Sequence, residues 1–337
     1  MNTLEEYRNG SQHLHHVAYK AARSEDRGSY DANEKQRFSL LVELQYDFKV
    51  SDYQLIRFLF EQETIAREKD SFQGVGHALY LAGYLLAKFK LPQDIPLFVK
   101  AKQANFDTHC GFDIEFIFWA LEEKTKYYLQ ENHPDLFADS VEAYLAFEQF
   151  DILQKWWVDQ QKKFPDNIEL EDTIVLYERN LYLENLEEAK ALLDNWAITE
   201  PESERKSSYL KYHYQQLGET GKSIDIVENQ LKLKERGKER ASCYRELIEL
   251  YTLHGAPVET LDIIEKTNLE FQLFEEWKKL GLGHMTIKAV FEFVLVCDDT
   301  KVATKAFKIA CAWCEEVDRL PHNTIQAGQQ AAERCDR

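Results

Sequence analysis

The 337-residue chain is expected to be all-α, built as a stack of helical pairs, on three observations. Helix formers dominate its middle, and only 7 prolines and 13 glycines interrupt it. Short alternating β-branched runs, the mark of half-buried strands, are almost absent. From residue 134 onward a pattern of helix end, tight turn and second helix recurs, most clearly in YQQLGETGKSIDIVENQL, Tyr214–Leu231. With 44% hydrophobic residues the chain can build a substantial core, in one elongated or two compact domains.

In chain order, residues 1–50 read as two helices separated at Arg27-Gly28-Ser29. The second places Phe38, Leu41, Leu44 and Phe48 on one apolar face. Ser51 with Gln54 has the spacing of a capping box, ahead of a helix that turns Leu55, Ile56, Leu59 and Phe60 inward. Residues 72–89 predict a helix whose Gly76, Ala82, Gly83 and Ala87 allow a neighbour to come close. Leu91-Pro92 breaks the chain, and Asp94 with Pro96 begins the next helix. FDTHCGFD, residues 106–113, precedes a strongly apolar helix expected over Ile114–Leu129. Pro134, Pro165, Pro201, Pro257 and Pro321 punctuate further helix starts.

The recurring pattern aligns on its turn. YLAFEQFDILQKWW starts at Tyr144, NLYLENLEEAKALL at Asn180, YQQLGETGKSIDIV at Tyr214 and YTLHGAPVETLDII at Tyr251, with a weaker VLVCDDTKVATKAF at Val294. Four places on, a glycine or polar residue makes the turn. Nine places on stand Leu153, Ala189, Ser223, Thr260 and Ala303, the last four small enough to fit between helices. Over about 134–316 the pattern resembles the tetratricopeptide repeat. Tyr214, Gly218, Tyr251, Gly255, Ala189, Ala303, Trp157 and Pro165 meet family positions. Glu148 and Glu184 replace the turn glycine, Leu153, Ser223 and Thr260 the small alanine, and the early tryptophan is missing. The resemblance implies an α-α superhelix, a tetratricopeptide-like solenoid over 133–337 with a capping helix at 321–334, after an N-terminal helical region over 1–132.

It also implies a concave groove lined by the first helix of each pair. The groove positions are Asp135, Ala138, Asp139 and Glu142, then Glu171, Ile174, Val175 and Glu178. Arg205, Ser208, Tyr209 and Tyr212 follow, and then Ser242, Arg245, Glu246 and Glu249. Seven acids stand there against two bases, within a chain of net charge −18. Such a groove suits a protein or peptide with a basic surface, anchored by the two tyrosines. The blander account is that the helix surfaces of an acidic protein are acidic everywhere. The family's carboxylate-binding version needs lysine and asparagine where Ser208, Tyr212, Arg245 and Glu249 stand, which disfavours it. Nucleic acid is excluded as a main ligand by the missing basic footprint. No 18-residue apolar window or secretory leader is visible, so no membrane partner and a cytoplasmic setting are expected. The expected function is a non-catalytic scaffold or adaptor without cofactor, in its sharper form an inhibitor or immunity protein for a basic partner. The alternatives of a different class are a regulator that senses a peptide and a metal-dependent enzyme with a site near Asp107–Asp113.

Enzymatic signals are weak. Asp107, His109, Cys110 and Asp113 are metal-ligand types within seven residues, yet Asp107 as a helix N-cap and Gly111 at a turn account for most of that motif. His13 and His16 of HLHH share a helical face of ordinary polar character. Cys311 and Cys314 form a C-x-x-C inside a continuous helix, and the six cysteines are expected to be free thiols. Gly74-Val75-Gly76 lacks the strand and lysine of a phosphate loop.

Overall fold

A computed structural model describes residues 3–26, 28–70, 74–136 and 147–335. Apart from one hairpin, the described residues are helical or in connections. The chain divides into two compact units, Met1–Leu192 and Leu193–Arg337. This division follows contacts, whereas the sequence division at 132/133 marks where the aligned segments begin.

In the first unit, α1 (Leu4–Asn9) starts on a capping box of Thr3 and Glu6. Strands β1 (Ala21–Ser24) and β2 (Gly28–Asp31) pair antiparallel, Ala21 opposite Asp31 and Ser24 opposite Gly28. Only a break was expected there, because AARS and GSYD hold no β-branched residue and no alternation. Helices α2 (Glu34–Tyr46), α3 (Tyr53–Lys69), α4 (His77–Ala87) and α5 (Ile95–Lys102) follow. Then come α6 (Phe106–Gly111), α7 (Glu115–Phe118), α8 (Thr125–Asn132), α9 (Leu153–Lys163) and α10 (Thr173–Tyr182). The boundary between the units falls within α11 (Leu186–Thr199).

The predicted apolar faces meet in one core: Phe38, Leu41 and Leu44 of α2 with Leu55, Ile56, Leu59 and Phe60 of α3. Gly83 lets α4 pass close to the Phe112 ring, since a Cβ there would lie 3.2 Å from it and the ring would have to give by a few tenths of an ångström. Several boundaries differ from expectation. Ser51 and Gln54 form no capping box. Asp52 is the N-cap residue of α3, and its buried carboxylate takes the Lys49 N–H (2.9 Å) and the Arg8 guanidinium (2.8 Å) instead. Helix α4 begins only at His77, behind Gly76 at φ +77 against the Arg67 guanidinium. The helix expected over Ile114–Leu129 is broken: α7 ends at Phe118, and Glu122 takes φ +52 before α8. Four consecutive buried residues, Phe116, Ile117, Phe118 and Trp119, fit a short segment enclosed on all sides better than a one-faced helix.

The first unit also buries charge. Arg37, with no exposed surface, donates to Glu63 (2.5 Å), Asp31 (2.6 Å) and the Val17 carbonyl (3.1 Å). Asp31 in turn accepts the N–H groups of Lys20 (2.9 Å) and Asn33 (3.0 Å), so the cluster closes the backbone beside the hairpin.

The second unit continues with α12 (Glu204–Gln216), α13 (Thr220–Leu233), α14 (Lys238–His254), α15 (Pro257–Phe271), α16 (Gly281–Val296), α17 (Thr300–Glu316) and α18 (His322–Cys335). Successive helices pack together as α12/α13, α14/α15 and α16/α17. Across the pairs α13 meets α14, α14 meets α16 and α15 meets α17, while α18 packs on α16 and α17.

Three aligned turns close in the same way. Glu184, Gly218 and Gly255 hold φ of +62, +74 and +72. The residue after each donates back five places: Asn185 to Asn180 (2.8 Å), Glu219 to Tyr214 (2.8 Å) and Ala256 to Tyr251 (3.0 Å). These are left-handed helix closures that capture orphan carbonyls. The residues nine places from each copy's start, Leu153, Ala189, Ser223, Thr260 and Ala303, are all buried. The start of the first copy, Tyr144, lies outside the described residues. Fourteen places from the starts of two copies stand Asp194 and Glu228, which accept the hydroxyls of Tyr214 and Tyr251, both at 2.7 Å.

Candidate protein-binding face

Helix α12 is fixed at its start by Ser203, whose side chain accepts the Lys206 N–H at 3.1 Å. It buries Lys206, Leu210 and Tyr214 at four-residue spacing. At 100° per residue that turns Arg205, Ser208 and Tyr212 to the opposite side, and these three are exposed. Helix α14 buries Ala241, Tyr244, Leu247 and Ile248, and leaves Ser242, Arg245, Glu246 and Glu249 half-exposed.

Between these helices and α13 lies a depression of about 460 Å3. Glu204, Arg205, Ser208 and Lys211 line it from α12, Gln230 and Lys234 from α13 and its end, and Glu239, Ser242, Cys243 and Glu246 from α14. Four of the predicted groove positions (Arg205, Ser208, Ser242 and Glu246) therefore meet around one hollow. Lys211, Lys234, Glu204 and Glu239 were missed. Lys211 stands three residues after Ser208 and could have been placed by that spacing. Lys234 follows the end of a helix and gave no periodic signal.

The charges here are paired. Lys211 reaches across to Glu246, and Arg245 holds both oxygens of Glu249 (2.8 and 2.9 Å). Lys234 contacts Glu204 at 2.9 Å, and that hydrogen bond holds the Glu204 carboxyl below its usual range and raises Lys234. Burial, then the neighbouring Glu246 carboxylate, pushes the Cys243 thiol up. Tyr209 packs its ring 5.1 Å from Trp196 and 3.9 Å from His213. Tyr212 is 56% exposed, and its hydroxyl accepts from Gln216 (3.0 Å).

The remaining groove positions lie in the first unit or outside the described residues. Asp139 and Glu142 are outside them. Asp135 is exposed in a single turn, Pro134–Leu136, and Glu178 is exposed on α10. Glu171 is turned inward: its side chain is 2% exposed and accepts from Gln45 (2.8 Å), Tyr46 (2.9 Å) and Arg179 (2.7 Å). The resemblance implied a groove position for it, but Glu171 precedes α10 on extended backbone and folds under it. On the face of the second unit the groove positions therefore supply two acids, Glu246 and Glu249, each matched by a base.

The metal-ligand types of FDTHCGFD do not converge. Asn105, not Asp107, caps α6, accepting the Thr108 N–H at 2.8 Å. Cys110 is exposed on α6. Asp113 is held by Tyr80 (3.1 Å), Trp156 (2.9 Å) and Gln160 (2.9 Å). Among the described residues no group of three or more His, Cys, Asp or Glu side chains could hold a metal ion. Cys311 and Cys314 lie on α17, where burial raises both thiols, Cys314 to about 11. Among the described residues no helix is long and apolar enough to cross a membrane.

Comparison with protein-family models gave no match, and a search of curated proteins gave none either.

Proposed function

We propose that the chain is a non-catalytic scaffold or adaptor that binds a segment of another protein, and that the α12–α14 face is its binding surface. We read the paired helices as tetratricopeptide-like on their shared turns and buried small residues. The observation that carries the functional reading is the hollow itself. Three helices supply it with Arg205, Ser208, Gln230 and Ser242, and an exposed aromatic, Tyr212, stands on the same side of α12. Donors around a concavity, with an exposed aromatic on the same side of one of its helices, are the composition of a recognition surface. Of the seven acids behind the expectation of a basic partner, Glu171 is internal, Asp139 and Glu142 lie outside the described residues, and Glu246 and Glu249 are locally paired. Asp135 and Glu178 are exposed in the first unit, so the reading of this face rests on the hollow and not on acidity.

The test is affinity capture from native lysate with the full chain, at low and high salt, against a Ser208→Arg, Tyr212→Ala double variant. A partner retained by the wild type and lost from the folded variant is the expected result. Equal capture by both would remove the face from the reading. One metal ion per chain with no captured protein would overturn the non-catalytic assignment.

A further inference from the structure

The acids of the α12–α14 hollow are each engaged within the protein. Glu204 is held by Lys234 at 2.9 Å, Glu246 by Lys211, and Glu239 accepts the Glu235 N–H at 3.2 Å. Arg205 has no such match. It is exposed, lines the same hollow, and forms no ion pair or hydrogen bond with any described residue. Ser208 and Ser242 from the two facing helices and the Gln230 amide also line the hollow, with donors unspent on other described groups. The chemistry left over is thus a planar cation among neutral donors, the reverse of what the acid count of the groove implied.

We infer that the hollow takes an aspartate or glutamate side chain from an extended acidic segment of the protein partner, with Arg205 as the principal contact; this rests on the binding reading above. A guanidinium offers a carboxylate two parallel N–H donors, and hydroxyls beside it occupy the remaining lone pairs. Of the three carboxylates in the lining, Glu204 and Glu246 already hold a lysine and Glu239 holds a backbone N–H, so a lysine would meet none without a partner. A second cation at Glu204 or Glu246 would have to displace Lys234 or Lys211. The second unit carries 25 acids against 20 bases, so its long-range field opposes an acidic segment. Salt screens that field beyond about 8 Å while leaving the local contact in place. Binding therefore depends only weakly on salt, unlike the steep release expected of a basic partner.

The experiment is selection of short random peptides, amidated at their C termini, on the immobilised full chain. The wild type is expected to enrich Asp and Glu. Arg205→Glu, an exposed change that circular dichroism can confirm as folded, is expected to weaken the selected peptides roughly tenfold, about 1.4 kcal/mol. It should also turn the selection toward Lys and Arg, while Lys301→Glu on α17 leaves it unchanged. Enrichment of Lys and Arg by the wild type would overturn this inference and leave peptide binding standing. No enrichment of any kind would overturn the binding reading and the inference with it. Enrichment of acidic peptides that Arg205→Glu does not weaken would overturn the role of Arg205.

Discussion

Residues 1–192 carry 34 acidic side chains against 21 basic ones, and residues 193–337 carry 25 against 20. The two units also treat charge differently inside. Among the described residues the first buries Asp31, Arg37, Asp52, Glu63, Arg67, Asp94, Lys102 and Arg179, the second only Lys206 and Glu270. Four of the eight in the first unit close the backbone of connections: Arg37 on Val17, Asp31 on Lys20, Asp52 on Lys49, Lys102 on Phe112. Short helices and a hairpin leave many buried N–H and C=O ends that no ladder satisfies, and charged side chains meet them. The second unit stacks longer helices through small buried residues (Ser223, Thr260, Ala303) and has fewer such ends. Regular packing reduces the need for buried charge.

The contrast can be broken most directly at Arg37. Arg37→Met strands Asp31 and Glu63 in a site with no exposed surface, and removal of one partner from a buried pair costs about 3–5 kcal/mol. Chemical denaturation followed by tryptophan fluorescence measures it; a loss below about 1 kcal/mol would show that the cluster is dispensable.

A smaller effect is expected at Asp94, whose carboxylate is 1% exposed and accepts from Tyr53 (2.9 Å) and Arg57 (3.2 Å) through one oxygen only. Burial raises its pKa above the ordinary 3.8. The folded state then holds the proton more tightly than the unfolded chain. The stability it contributes is greatest below that ordinary value and falls as pH rises through the raised one. Asp94→Asn is expected to flatten that part of a series of urea midpoints against pH. An unchanged slope would exclude Asp94 as its source.

In the second unit Tyr214→Phe removes the hydroxyl bonded to Asp194 and is expected to cost about 0.5–1.5 kcal/mol, with Tyr251→Phe similar through Glu228. Thermal denaturation of both single variants and the double variant would show whether the two bonds are independent. Smallest is the turn: Glu184→Gly removes a side chain from φ +62 and is expected to stabilise by a few tenths of a kcal/mol, after loss of the exposed pair with Lys35. Gly218→Ala should act oppositely, costing roughly 1 kcal/mol. A destabilised Glu184→Gly would mean that the Lys35 contact outweighs the strain.

The helical class and the main apolar faces were legible because a 3.6-residue period survives in sequence, as at Phe38, Leu41 and Leu44. So were the turns at Gly218 and Gly255, where glycine answers a left-handed backbone. The hairpin was not, since Ala21–Ser24 and Gly28–Asp31 have no strand chemistry of their own and are held by Asp31 and its partners. The pairing of Arg37 with Glu63 left no local signal because it spans 26 residues. At the candidate face, Arg205, Ser208 and Ser242 were among the groove positions that the tetratricopeptide resemblance implied. The cancellation of Glu246 by Lys211 did not, because it joins helices 35 residues apart in sequence.

The packing order of the second unit has a kinetic consequence. Its principal contacts join helices one or two places apart in the chain, from α12 on α13 to α16 on α18. Each can form by closing a short loop, and loop closure is the entropic barrier that slows topologies with distant pairings. The low contact order favours rapid assembly from whichever neighbouring pair meets first.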